Sequence, residues 1–291
     1  MDADLKRKID FVLSAVKDQL HSQWSGKTPS TGQRFTHTIP NSHFSEELKA
    51  ELDALRPFPQ GSLRSLKEKI ALEWTFHFNA IEGNTLTLRE TKVVLEGITV
   101  GGKTMREHFE AISHSHAIEY VGEIASNKEP LSEWQIKSLH SLVLRNVDDS
   151  NAGRYRNEGV AILGASFNPP EPIRLPEEME KLLKWYEASQ HVHPVLLAAE
   201  LHTRFVKIHP FIDGNGRTAR LLMNLELIKK GHLPAVIRKD DRVRYYDSLD
   251  EACVTGDFTK IQALVAEAAC RSSLTYLSIL KPDRYRDYQS N

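Results

Sequence analysis

Twelve consecutive residues hold the groups needed to handle a phosphate: His209-Pro210-Phe211-Ile212-Asp213-Gly214-Asn215-Gly216-Arg217-Thr218-Ala219-Arg220. The stretch carries an imidazole, a carboxylate, two glycines, an amide and two guanidiniums. Gly214 and Gly216 permit a tight turn with positive φ and no Cβ in the way. An apolar run, Leu221 to Ile228, follows at once. The turn therefore feeds a helix start, whose free N–H groups and positive dipole end suit an anion. Arg217 and Arg220 add planar forks that match phosphate oxygens in pairs. Asp213 offers the hard oxygen that Mg²⁺ prefers. His209, just upstream, is free to take a proton from an attacking group. Residue types and spacing alone describe a site that moves a phosphate-bearing group.

The same stretch resembles the signature of the Fic family, H-x-F-x-[D/E]-G-N-G-R-x-x-R. Each fixed position is met, by His209, Phe211, Asp213, Gly214, Asn215, Gly216, Arg217 and Arg220. The resemblance implies a mainly α fold: a Fic-type helical bundle with a small β-hairpin flap beside the active site. It also implies transfer of AMP from ATP to a Ser, Thr or Tyr hydroxyl of a target protein. In that reading His209 is the general base and Asp213 holds Mg²⁺, with Mn²⁺ as a substitute. Gly214, Asn215, Gly216, Arg217, Thr218, Ala219 and Arg220 bind the phosphates. Phe211 is expected to be an internal wedge that orients the loop. Relatives with lysine in place of Gly216 resemble Doc-type kinases, which pass on the γ-phosphate; glycine favours adenylyl transfer. Other transfers on the same site stay open: uridylylation, phosphorylation or phosphocholine transfer. So does a non-enzymatic ATP-sensing regulator, although sensing needs no general base.

Upstream, a helix expected over 62–81 runs into Ile81-Glu82-Gly83-Asn84-Thr85, with Gly83 as its C-cap. This segment is similar to the family's inhibitory element, [S/T]-x-x-x-E-[G/N]. Glu82 and Gly83 match, while the Ser/Thr position falls on Phe78. The resemblance implies that Glu82 pairs with Arg220 and removes the fork meant for the ATP γ-phosphate. It also suggests that Glu82 positions a water for removal of AMP from a modified target. The glycine-bracketed apolar run Gly159–Ser166, followed by Asn168-Pro169-Pro170, reads as a hairpin. By resemblance it is the flap, with Leu163, Gly164, Ala165 and Ser166 on the nucleotide and target side. An exposed strand edge there can capture a target segment by strand addition. Tyr245 and Tyr246 form an aromatic pair that could stack on a base, and the resemblance implies that they border the adenosine pocket. The asparagine that often follows this pair is Cys253 here.

The elements that must position these groups are read from apolar periodicity and caps. An amphipathic helix is expected over 3–20, a long loop over 22–43 and a short helix over 44–56. Ser62 is expected to cap helix 62–81. Further helices are expected over 87–97, 104–126 and 131–145, the last capped by Ser132. Helices over 176–189 and 194–208 follow, with Pro194 in the first turn of the second. The helix after the phosphate turn stops at Gly231, and helices over 241–253 and 257–280 complete the set. His108, His114 and His116 lack i, i+4 spacing and read as ordinary helix histidines rather than metal ligands. The expected division is an N-terminal helical extension (1–61), helices with the inhibitory segment (62–130), a Fic core (131–270) and a helix end with tail (271–291).

The 291 residues carry a net charge of -1 and a hydrophobic share of 40%. That is ordinary for a globular protein, and without a global basic footprint nucleic-acid binding is not favoured. The two cysteines, Cys253 and Cys270, lack metal or redox spacing. No signal peptide or apolar span of about 20 residues is read, so a cytoplasmic protein is expected, with no membrane partner. Apolar residues on the early helices could support a homodimer.

Overall fold

Apolar residues recurring every three or four positions make this chain helical, and caps cut it into segments. The structure, a computed structural model, describes residues 40–127 and 129–285. The helix expected over 3–20 lies outside the described residues. The described helices are α1 (Pro40–Asp53), α2 (Gln60–Ile81), α3 (Leu88–Leu95), α4 (Met105–Asn127), α5 (Glu133–Leu144) and α6 (Leu175–Ala188). After these come α7 (Pro194–Ile208), α8 (Asn215–Lys229), α9 (Arg242–Thr255), α10 (Thr259–Leu280) and the short α11 (Pro282–Tyr285).

Local chemistry sets several boundaries. Thr87 and Ser132 cap α3 and α5 in reciprocal capping boxes with Glu90 and Gln135. Pro194 occupies the first turn of α7, and the His193 side chain accepts the Val195 N–H. Gly83 and Gly231, both at positive φ, follow the ends of α2 and α8. Ser62 is not a cap: α2 begins at Gln60, straight after Pro59, and Ser62 sits within its first turn. A proline directly before a helix presets the chain entry without a side-chain bond.

α8 is the central strut. From Arg217 to Leu227 every residue is buried, the pattern of a helix packed on all sides. It pairs most extensively with α7, and also packs on α4, α5 and α2. Leu221, Leu222 and Met223 meet a core that includes Phe78, Ile81, Leu139, Val143 and Phe205. Burial of each such side chain contributes roughly 1.5–3 kcal/mol. The phosphate turn therefore stands on a helix packed on all sides.

Among the described residues there is no β-strand, so the expected hairpin over 159–166 is not formed as paired strands. The segment makes one turn, with Ala165 N–H donating to the Ile162 carbonyl, and otherwise runs as an irregular flap. Two features remove ladder bonds. Pro169 and Pro170 have no N–H, and the Ser166 N–H is spent on the Asp250 carboxylate at 2.7 Å.

Candidate active site

His209 ends α7 in the left-handed conformation, φ 50°, a region few non-glycine residues occupy. Two contacts fix its backbone. Its N–H donates to the Phe205 carbonyl at 3.0 Å, and its carbonyl accepts from Arg156 Nε at 2.9 Å. Burial pushes the imidazole pKa below its ordinary value, opposed by the Val206 carbonyl. The ring is therefore neutral near pH 7.

The turn that follows is braced from within. Phe211 is fully buried, its ring stacked on His140 at 3.5 Å and tilted against Tyr155 and Phe205. It is the internal wedge expected from the sequence. The Asn215 amide closes the turn on Phe211, accepting its N–H at 3.0 Å and donating to its carbonyl at 2.8 Å. Both ends of the Asn215 side chain are thus spent inside the loop. Gly214 takes φ +74°, and the first intrahelical bond runs from Thr218 N–H to the Gly214 carbonyl. The N–H groups of Asn215, Gly216 and Arg217 precede it, the usual orphans of a helix start. Thr218 and Ala219 are fully buried.

The charged residues divide into two groups. Arg220 is fully buried, and its guanidinium donates to Glu82 Oε1 at 2.6 Å, the Phe78 carbonyl at 2.9 Å and the Tyr245 hydroxyl at 3.2 Å. Burial lowers its pKa, but Glu82 and Tyr245 together raise it, so Arg220 stays charged. Glu82 also sits over the helix start: a Cβ on Gly216 would collide with its Oε1. A carboxylate therefore occupies the anion position that the helix dipole creates. On the other side, Arg217 faces Asp213 at 3.4 Å and Glu110 at 3.7 Å. Arg106 bridges the same two acids, at 2.8 Å to Asp213 and 3.1 Å to Glu110. Burial raises the Asp213 pKa, but Arg217, the Gly214 N–H and Arg106 together hold it below the usual range.

A cavity of about 370 Å³ opens between the flap, α8 and α9, lined by His209, Gly216, Arg220, Glu82, Tyr245 and Tyr246. Leu163, Gly164 and Ala165 line it too, and Leu163 is 99% exposed at its mouth. The volume is in the range of small-molecule sites. Ser166, Asp213 and Arg217 stand off this wall. The tyrosines differ. Tyr246 is 39% exposed and donates to the Ile81 carbonyl. Tyr245 is buried, its hydroxyl held between His202 and Arg220, and its ring braces Arg220.

Three positions were not singled out from sequence. Arg156 reaches the His209, Glu158 and Pro170 carbonyls. His140 Nε2 donates to the Asp213 carbonyl at 2.8 Å while its Nδ1 accepts from Gly153 N–H. Burial lowers its pKa to about 4, which keeps it neutral. Asp250 ties the flap to α9.

No cluster of three His, Cys, Asp or Glu side chains forms a complete metal cage among the described residues. Mg²⁺ at nucleotide sites needs only one or two carboxylates plus phosphate oxygens. Asp213, ionised and 42% exposed at its side chain, fits that requirement.

The match to known proteins follows this geometry. A profile of the Fic/DOC family matches residues 130–227. Fic-1 of C. elegans (residues 134–508) superposes with a TM-score of 0.76 at 31% identity, over 84% of this chain and 72% of that one. A Fic-domain signalling protein of Bacteroides thetaiotaomicron gives 0.76 at 30% identity, over 83% and 97%. The chain belongs to the Fic family. Sequence relatives include the protein adenylyltransferase Fic of Nematostella vectensis, 37% identical over 80% of this chain and 55% of the relative. The Drosophila melanogaster Fic is 36% identical over 80% and 48%. This Fic chain thus spans about half the length of the curated relatives it matches. Among the described residues, no helix is long and apolar enough to cross a membrane.

Proposed function

We propose that this Fic chain transfers AMP from ATP to a Ser, Thr or Tyr hydroxyl of a protein, and that Glu82 holds the activity down. The observation that carries this reading is convergence: a neutral imidazole, a helix N-terminus and a buried guanidinium face one cavity. The incoming hydroxyl oxygen bonds to the α-phosphorus. The bond from phosphorus to the α–β bridging oxygen breaks, pyrophosphate leaves, and the hydroxyl proton passes to His209. The N–H groups of Asn215 to Arg217 stabilise charge developing on the phosphate oxygens. Arg217 and Arg220 clamp the outer phosphates. Asp213 would hold Mg²⁺, which would supply positive charge against the phosphates. Tyr246 borders the base, while Tyr245 positions Arg220.

Glu82 opposes this in two ways. It occupies the Arg220 fork, and it puts negative charge where a phosphate should sit. Replacing Glu82 by Gly should raise AMP incorporation at least about tenfold, with roughly 1.4 kcal/mol corresponding to each tenfold. A second role for the same carboxylate rests on its partial exposure in the cavity beside His209. There it can hold a water for hydrolysis of a protein-bound AMP. Release of AMP from a pre-modified protein, equal with and without Glu82, would remove that role.

A further inference from the structure

A second cleft, of about 480 Å³, lies on the other side of the flap, walled by α6 and α7. We infer that it receives an acidic, extended segment of the polypeptide being modified. The inference rests on the proposed transfer to protein hydroxyls. Three observations support it.

The first is continuity. Ile162 to Ala165 and Phe167 line the nucleotide cavity, whereas Asn168 and Pro170 line the second cleft. Ile208, the residue before His209, also lines that cleft. A chain laid along the flap passes from one cavity into the other. From Leu163 to Asn168 it covers at most about 17 Å, five residues of extended chain.

The second is charge. Arg174, Lys181, Arg204 and Lys207 stand on the cleft wall against one carboxylate, Glu178. Arg174 and Lys181 both lean on that carboxylate, each at 3.1 Å. Glu177 and Glu200 reach Lys181 and Arg204 from outside the wall; counting them, cations still lead four to three. Lys207 donates to a backbone carbonyl, that of Cys253, at 2.6 Å. The whole chain carries a net charge of -1, so this concentration is local.

The third is shape. Trp185 stacks under the Arg204 guanidinium at 4.3 Å. This gives the cleft an apolar ledge beside its cations, suited to a polypeptide with mixed acidic and apolar side chains. A nucleic-acid backbone would ask for a broad basic surface, which a net charge of -1 does not favour.

The test is fluorescence anisotropy with the full chain and labelled peptides carrying a central Thr. Acidic residues are placed roughly four to six positions away, on the N-terminal side in one peptide and the C-terminal side in another. A third peptide carries Gln there. One acidic peptide should bind at least about tenfold tighter than the Gln peptide, a difference that shrinks with salt. Arg174→Glu with Lys181→Glu should abolish that preference, and the milder Arg174→Gln with Lys181→Gln should reduce it. Equal binding of all three peptides, or a preference that survives charge reversal, overturns the inference. So does a single-stranded oligonucleotide binding in a charge-reversal-sensitive manner when no acidic peptide does. Binding is read without catalysis, so a Glu82→Gly chain that binds the acidic peptide but transfers no AMP refutes the proposed function and leaves the cleft assignment standing.

Discussion

Arg156 Nε donates to the carbonyl of His209 at 2.9 Å. The same guanidinium holds the Glu158 and Pro170 carbonyls, at 2.9 and 2.5 Å. One buried cation therefore ties both ends of the flap to the backbone that presents the imidazole. Its partners are all backbone carbonyls, so its task is geometric.

Arg156→Ala should lower the rate of AMP transfer on the order of 100-fold, the scale for a misplacement near 1 Å. It should also destabilise the fold by about 2–4 kcal/mol, since three carbonyls lose a charged donor. ATP binding, read by thermal shift, should change little. Arg156→Lys should not restore the rate, because an ammonium cannot hold three diverging carbonyls. Full activity in either variant would contradict this role.

Glu82 and Gly216 share one space, and the pair can be tested as a cycle. Gly216→Ala should destabilise the protein by about 1–3 kcal/mol, the usual range for overpacking. The new Cβ meets the Glu82 carboxylate and the Arg220 fork. In the Glu82→Gly background the same change should cost less than half as much. Denaturant midpoints of the four proteins measure the coupling; strict additivity would place the clash elsewhere.

The two adjacent tyrosines should behave differently. Tyr245→Phe removes the hydroxyl between His202 and Arg220 and should reduce stability by about 1–3 kcal/mol. Tyr246→Ala should leave stability nearly unchanged and weaken ATP binding by about 1 kcal/mol through lost ring contact. Calorimetric titration with Mg-ATP separates them, and the reverse pattern would exchange their assignments.

Much of this was legible in the sequence, and the exceptions share a cause. Helix boundaries followed from local signals, such as the Thr87 and Ser132 caps and Pro194. The twelve-residue signature brings His209, Asp213 and the turn together because that geometry is itself local. Arg156, His140 and Asp250 act across 53, 73 and 84 positions, and no short-range pattern marks such contacts. His140 left a faint trace, a histidine on the apolar face of α5 beside Leu139 and Val143. Tyr245 and Tyr246 are neighbours in sequence, yet about 100° apart around a helix, and only the packing shows which one faces the core. The hairpin was expected from apolar residues between glycines. One backbone donor, the Ser166 N–H, is instead drawn off by Asp250, and two more are lost at Pro169 and Pro170.

Acid should weaken both fold and activity. Burial lowers the pKa of His140 to about 4 and of His202 to about 3. Unfolded, both titrate near 6.5, so the unfolded chain binds more protons between those values. Stability is then full above about pH 6.5 and falls as pH drops toward the folded values, by up to about 1.4 kcal/mol per histidine per unit. His77 and His114 are lowered by burial as well, so denaturant unfolding at about pH 7.5 and 5.5 should show a loss of at least roughly 2–3 kcal/mol; equal midpoints would contradict it. The His209 pKa is also lowered, so the acid limb of the rate profile should have its midpoint below about 6.5.

The most direct measurement is intact-protein mass spectrometry after incubating the Glu82→Gly chain with Mg-ATP and a mixture of soluble proteins. Proteins heavier by one AMP should appear, and the additional His209→Ala change should eliminate them while ATP still shifts the melting temperature. AMP transfer that persists without His209, or transfer of a phosphate instead of AMP, would contradict a general base at His209 acting on the α-phosphorus.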